Sequence, residues 1–438
     1  MRRPGWILVT VMTGICFFFS FPKNGYSQNP LSDHTSDKQQ NSVFRLTGTG
    51  SPDAQLPFGS HFADRYGRKI HELSVEERTG YIIPTNALYE GNRNQMDPFR
   101  YSWSLHLKYS FRFQPDSRPD KIFGGVYQGV GLAWYSFNNQ RELGNPVVLY
   151  LFQGARIGRL SRGISLNYEW NFGLSYGWKP YNYYTNSYNT VIGSKLNAYI
   201  NASFYFRWLL TPTIDMTTGV AFTHFSNGNT QFPNAGLNTA GLKLGLIYKL
   251  NRQAPRFRQQ REEQPTEIFP RHVSYDLVFF GAWRRTGVDF QDQQIASPKA
   301  YTVMGFNFNP MVNMGYKLRL GASLDGVYDG GANVYTEQNT KAPSQHFYQP
   351  PLDDELSLGI SARAEYVMPY FSVNMGLGNN FYGKGDLKAS YQILALKIGI
   401  TRKSFVHIGY SLKDFHTPNF LMLGIGFRFH NKYPSCYR

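Results

Sequence analysis

Two residues with complementary roles in acyl chemistry stand two positions apart near the end of an apolar run. In GVAFTHFSNGNTQFPNAGLN, residues 219–238, His224 is followed by Phe225 and Ser226. In an extended chain this spacing puts both side chains on one face. A neutral imidazole can take the proton of a serine hydroxyl as its oxygen attacks an ester carbonyl, and a nearby amide or backbone N–H can hold the resulting oxyanion. A group accepting from the second ring nitrogen would fix the tautomer. Asn227 and Asn238 are the candidate amides in the same stretch. The segment also has a plainer reading. Ser226, Asn227 and Gly228 are turn formers that end strands and satisfy local backbone groups, and PNAG at 233–236 is a turn signal in its own right. Spacing alone leaves both readings open.

The elements around the pair narrow the choice. In 214–226 the even positions include Ile214, Met216, Val220 and Phe222, so His224 and Ser226 continue the more apolar face. In 240–250 the apolar face is again even, with Leu242, Leu244, Leu246 and Tyr248; extended backwards, it brings Asn238 to the same side. Two antiparallel neighbours joined by the loop 227–237 would let His224, Ser226 and Asn238 converge.

Such strands recur along the chain. In GISLNYEWNFGLSYGWK, Ile164, Leu166, Tyr168, Trp170, Phe172, Leu174, Tyr176 and Trp178 alternate with Ser, Asn, Glu and Gly, a period of two with one apolar and one polar face. Residues 101–113 repeat it, with His106, Lys108 and Arg112 on the polar side; a barrel lumen tolerates these and lipid does not. Counting similar runs predicts an all-β transmembrane antiparallel barrel of about 14–16 strands, with strands near 71–83, 121–137, 144–160 and 195–210 among them and a closing strand at 419–429. The polar segment 251–270 divides the strands into halves, so two eight-stranded barrels are the rival of the single large barrel that the sequence favours. With both barrel termini in the periplasm, the loop after 214–226 faces the exterior, beside the outer leaflet.

Composition agrees with this class. The chain holds 34 Phe, 31 Tyr and 42 Gly, with 17% charged residues, as aromatic girdles and alternating strands require. Residues 1–27 read as an export signal, with the basic start MRRPG, a long apolar run and a polar end. Residues 28–60 form a polar leader, 61–250 the first barrel region, 251–270 a polar connection, 271–429 further barrel strands and 430–438 a polar tail. After the signal a single cysteine, Cys436, remains, which excludes an internal disulfide or cysteine metal cluster. The net charge of +16 is scattered among strands, which suits anionic headgroups better than nucleic acid. No cofactor or metal is expected: the acidic pair Asp353 and Asp354 has no second cluster beside it for calcium. His407 reads as a lumen or girdle residue.

On these residues the chain resembles the outer-membrane lipid A 3-O-deacylase family, in particular long members labelled acyloxyacyl hydrolase in Bacteroidetes-type bacteria. The family pattern of His, any residue, Ser and Asn, then Pro-Asn-x-Gly, stands here as His224, Ser226, Asn227, Pro233, Asn234 and Gly236; RTGYIIP, GVGLAWYSF, LGNP and IGSKLN also match. The resemblance implies a serine ester hydrolase of the bacterial outer membrane that removes the primary acyl chain at position 3 of lipid A. Lipopolysaccharide and outer-membrane lipids would be its partners. Ser226 would be the nucleophile, His224 the base and Asn227 the oxyanion contributor. The orienting glutamate of the short enzymes falls on Asn238, an amide that can position an imidazole without countering its charge; Glu169, on an inward face, is a poor substitute. The alternatives are a porin or solute channel through an open lumen, and a barrel that binds lipopolysaccharide without turnover.

Overall fold

The computed structural model describes residues 69–84, 100–114, 117–182, 184–250, 269–290, 293–336, 346–413 and 417–432. The expected signal, the whole of the leader, nearly all of the connection and the last part of the tail lie outside them. The first eight strands are β1 Ile70–Ile83, β2 Tyr101–Arg112, β3 Tyr127–Ser136, β4 Gly144–Arg159, β5 Ile164–Trp178, β6 Leu196–Leu209, β7 Ile214–Ser226 and β8 Leu237–Lys249. Then follow β9 His272–Arg284, a hairpin of β10 Gly287–Phe290 and β11 Gln293–Ala296, β12 Tyr301–Asn313 and β13 Leu318–Asp329. A short pair, β14 Tyr335–Thr336 and β15 Phe347–Tyr348, precedes β16 Leu356–Val367, β17 Phe371–Tyr382, β18 Ser390–Gly399, β19 Ser404–Lys413 and β20 Thr417–Phe429.

The strands close twice. β8 returns to β1, from Glu72 opposite Lys249 to Ile83 opposite Asn238, and completes an antiparallel barrel of β1 to β8. β20 returns to β9 and completes a second barrel with β12, β13 and β16 to β19. The single large barrel is therefore corrected to two eight-stranded ones, although the sixteen barrel strands fall within the expected number. Alternation reports which face a residue takes. It carries no information on which strand supplies the last edge.

An eight-stranded interior is narrow enough for side chains to fill, and the polar face of the strands fills it with ion pairs. In the first barrel Lys108 Nζ meets Glu169 Oε1 at 2.6 Å, Lys243 Nζ meets Glu76 Oε2 at 3.0 Å and Arg78 Nε meets Glu76 Oε1 at 2.5 Å. In the second, Arg319, Lys397 and Arg428 surround Asp276 at 2.8–2.9 Å and also reach Glu365. His407 lies inside the second barrel, buried. These crossings fill both lumens among the described residues, so the channel reading loses the open passage it requires.

Outward faces are apolar, with Leu242 66% exposed and Leu244, Leu246 and Tyr248 beside it in β8. Turns at one end are tight, as at 160–163, 210–213 and 400–403, and connections at the other are long, as at 179–195 and 227–236. Bacterial barrels place short turns in the periplasm and long loops outside, so the 227–236 loop lies at the outer rim.

Two local readings change. The start of the run 121–137 is helical: Ser117 caps α1, Arg118–Phe123, by accepting from Asp120 N, a proline sits in the first turn, and Gly124 ends it at φ +74°. Ser before Pro and Gly after the last turn is an ordinary start and stop. Trp178 leaves the apolar face of its strand. Gly177 at φ +103° turns the backbone, and the indole goes inside, 2% exposed, donating to Ser175 Oγ at 2.9 Å.

The two barrels pack side by side. Trp170 of β5 meets Phe371 edge-on at 5.5 Å, Phe111 meets Tyr370 at 6.0 Å, and Tyr168 Oη donates to Met368 Sδ at 3.7 Å. Tyr168 and Trp170 are thus covered by protein, although their strand presents them outward.

Candidate active site

β7 brings the pair to the outer rim. Its odd positions Asp215, Thr217, Ala221, Thr223 and Phe225 are buried inside the barrel, while Val220, Phe222, His224 and Ser226 face out. Phe225 fixes that division. Its ring is fully buried and packs at 5.0 Å on Trp178, 5.1 Å on Tyr135 and 5.4 Å on Tyr199. An aromatic plug inside the barrel mouth therefore anchors the residue between the two polar ones, and the pleat turns His224 and Ser226 away from it.

The three expected side chains meet. His224 Nε2 lies 2.9 Å from Ser226 Oγ, and His224 Nδ1 lies 2.7 Å from Asn238 Oδ1. His224 and Asn238 are direct cross-strand partners in the pairing of β7 with β8. An amide oxygen accepts only, so Nδ1 carries the proton and Nε2 is left to accept from the serine hydroxyl. On the other side, Ala198 of β6, with a small side chain, stands opposite Ser226, which is half-buried.

The loop residues of the motif hold this arrangement. Gly236 sits at φ +73°, and a Cβ there would come within 3.1 Å of His224 Cε1. Asn234 Oδ1 accepts from Asn227 N at 3.0 Å, and Asn234 Nδ2 donates to Asn229 Oδ1 at 3.1 Å. The Asn227 side chain donates to Gln231 O at 2.9 Å. The Asn227 backbone N–H and one N–H of its side-chain amide are thus engaged within the loop, directly behind Ser226. Glu169 lies in the lumen, bound to Lys108 and Tyr127, away from the pair.

Sequence reasoning missed the aromatic plug. Its signal was present: Tyr135, Tyr199 and Phe225 are large aromatics at lumen parity, where polar residues dominate lower in the barrel. Asp353 and Asp354 meet Lys384, Asp354 Oδ1 at 2.8 Å from its Nζ. Among the described residues no group of three His, Cys, Asp or Glu side chains gathers as a metal site.

Comparison with known proteins separates along the same line as the barrels. The family model for lipid A 3-O-deacylase matches residues 99–246, and that for the acyloxyacyl hydrolase C-terminal domain matches residues 273–431. No curated protein matches the chain. Among solved structures, Neisserial surface protein A is 9% identical over 41% of this chain and 97% of its own, with a TM-score of 0.27. The outer membrane enzyme PagL is 14% identical over 39% of this chain and 97% of its own, with a TM-score of 0.25. The assignment rests on the two family models, one on each barrel. The chain belongs to the lipid A 3-O-deacylase family and is an outer-membrane hydrolase that deacylates lipid A.

Proposed function

We propose that Ser226 is the nucleophile and His224 the general base of an ester hydrolysis that releases the acyl chain at position 3 of lipid A. The observation that carries the reading is the continuous relay from Asn238 Oδ1 through His224 to Ser226 Oγ on the outward face at the outer rim. Ser226 Oγ attacks the acyl carbonyl carbon as its proton passes to His224 Nε2. Collapse of the tetrahedral intermediate breaks the bond to the sugar oxygen, which takes the proton from His224. Water, deprotonated by the same nitrogen, then attacks the acyl-serine; the bond to Ser226 Oγ breaks, the serine takes the proton back from His224, and the fatty acid leaves. Asn238 orients the imidazole in both halves. Asn227 contributes on the oxyanion side by holding the loop whose backbone follows Ser226.

The outward position suits the substrate, whose ester lies at the boundary between acyl chains and sugar in the outer leaflet. Mass spectrometry of lipid A incubated with purified protein and with Ser226→Ala tests the proposal. Loss of one hydroxyacyl mass with the unmutated protein alone is expected. Equal loss with both proteins removes Ser226 as nucleophile. Unchanged lipid in both favours a barrel that binds lipopolysaccharide without turnover, a reading for which the amide at 238 is the supporting observation.

A further inference from the structure

The C-terminal barrel reaches the loop that carries the reacting pair. Arg285 N, just past β9, donates to Asn229 O at 3.2 Å. Leu421 of β20 packs against Gly228, where an added Cβ would stand 2.6 Å from the leucine Cγ. Asn229 is tied through Asn234 to Asn227, next to Ser226. Two residues of the second barrel are therefore built into the surroundings of the site on the first.

Two successive arginines stand at this junction, and they differ. Arg284 has the inward parity of β9 and is satisfied: Asp329 takes its Nη2 at 2.8 Å and its Nε at 3.1 Å, and Asn419 takes its Nη1 at 3.3 Å. Arg285 follows the parity of Tyr275, Phe279 and Trp283, the exposed outward face. Its Nε is buried and has no hydrogen-bond partner among the described residues. A desolvated guanidinium nitrogen without a protein acceptor is costly to maintain, and the rest of the side chain, half-exposed at the outer rim, is placed to meet an anion from outside the chain. Lipid A is a glucosamine disaccharide bearing phosphate monoesters, and the planar guanidinium fork matches phosphate oxygens.

We propose that Arg285 binds a glucosamine phosphate of lipid A, so that the substrate lies across the junction of the two barrels, with its ester at Ser226 and its phosphate on the second barrel. The inference rests on His224 and Ser226 being the reacting pair. It makes the C-terminal barrel a determinant of substrate selection.

The test measures binding without turnover. Ser226→Ala protein in detergent micelles is titrated with bisphosphorylated lipid A and with the same lipid A after enzymatic dephosphorylation. The phosphorylated form binds more tightly, and adding Arg285→Gln shrinks that preference by about tenfold, as loss of one charge-assisted contact predicts. Neither inorganic phosphate nor phosphatidylglycerol at equal phosphate concentration displaces lipid A. An unchanged preference, an equal weakening for both lipids, or displacement by either competitor overturns the proposal. The equal weakening is the mark of a merely structural role. Failure of the catalytic reading shows separately, as acyl release that survives Ser226→Ala.

Discussion

Asn238 sets the chemical character of the site. Its oxygen fixes the tautomer of His224 at 2.7 Å, but an amide has no charge with which to stabilise the imidazolium that the proposed proton transfer from Ser226 would form. Asn238→Glu places a carboxylate at the same cross-strand position, and initial rates of acyl release should rise by about tenfold, the effect of roughly 1.4 kcal/mol on the barrier. Asn238→Leu leaves the ring unoriented, and the same assay should show a fall of about a hundredfold. A higher rate with leucine than with asparagine would mean that the residue plays no part in the relay. Gly236 is the second lever. Alanine there must adopt φ +73° and sit 3.1 Å from the imidazole, so Gly236→Ala should cost about 1 kcal/mol of stability and slow turnover by more than it slows Ser226-independent lipid binding. Parallel unfolding and rate measurements separate the two effects.

At the level of the strand, β7 works because its faces have opposite duties. Phe225 is locked into the aromatic plug while its two neighbours are presented outward. Phe225→Ala removes the anchor and should destabilise the first barrel by about 3–5 kcal/mol, read as a lower midpoint in urea unfolding from liposomes. Leucine at the same position should restore most of that loss. β9 offers a comparable test in the second barrel. Asp276 answers three cations at 2.8–2.9 Å, and Asp276→Ala leaves buried positive charge uncompensated at a cost of about 3–5 kcal/mol. If unfolding is unaffected, the network is not holding the lumen together.

The molecule as a whole is two filled cylinders in contact, and the first consequence is for permeability. Both interiors are crossed by buried side chains, from Lys108 and Glu169 in one to Arg319 and Glu365 in the other. Reconstituted protein should therefore give no swelling of liposomes in sucrose or in smaller neutral sugars, whereas solute flux rising with protein content would restore the channel reading. The second consequence concerns access. Where the barrels meet, Tyr168 and Trp170 are shielded from lipid, while β8 on the far side of β7 keeps its leucines exposed. The proposed reacting pair lies between these two surfaces, at the edge of the contact.

The strand class and the residues of the relay were legible in the sequence, because both depend on a period of two: parity alone puts His224, Ser226 and, across the hairpin, Asn238 on one side. The start of α1 and the inward turn of Trp178 were written in local capping and glycine geometry, which alternation does not weigh. Closure was decided only in three dimensions. Whether β8 pairs with β1 or passes its edge to β9 depends on curvature accumulated over all eight strands, a property that no single segment carries. The same holds for Arg285, about sixty residues from Ser226 in the chain and brought beside its loop because the second barrel packs against the first. A side-chain pattern fixes the face a residue takes, and the packing of one closed barrel on another decides what that face meets.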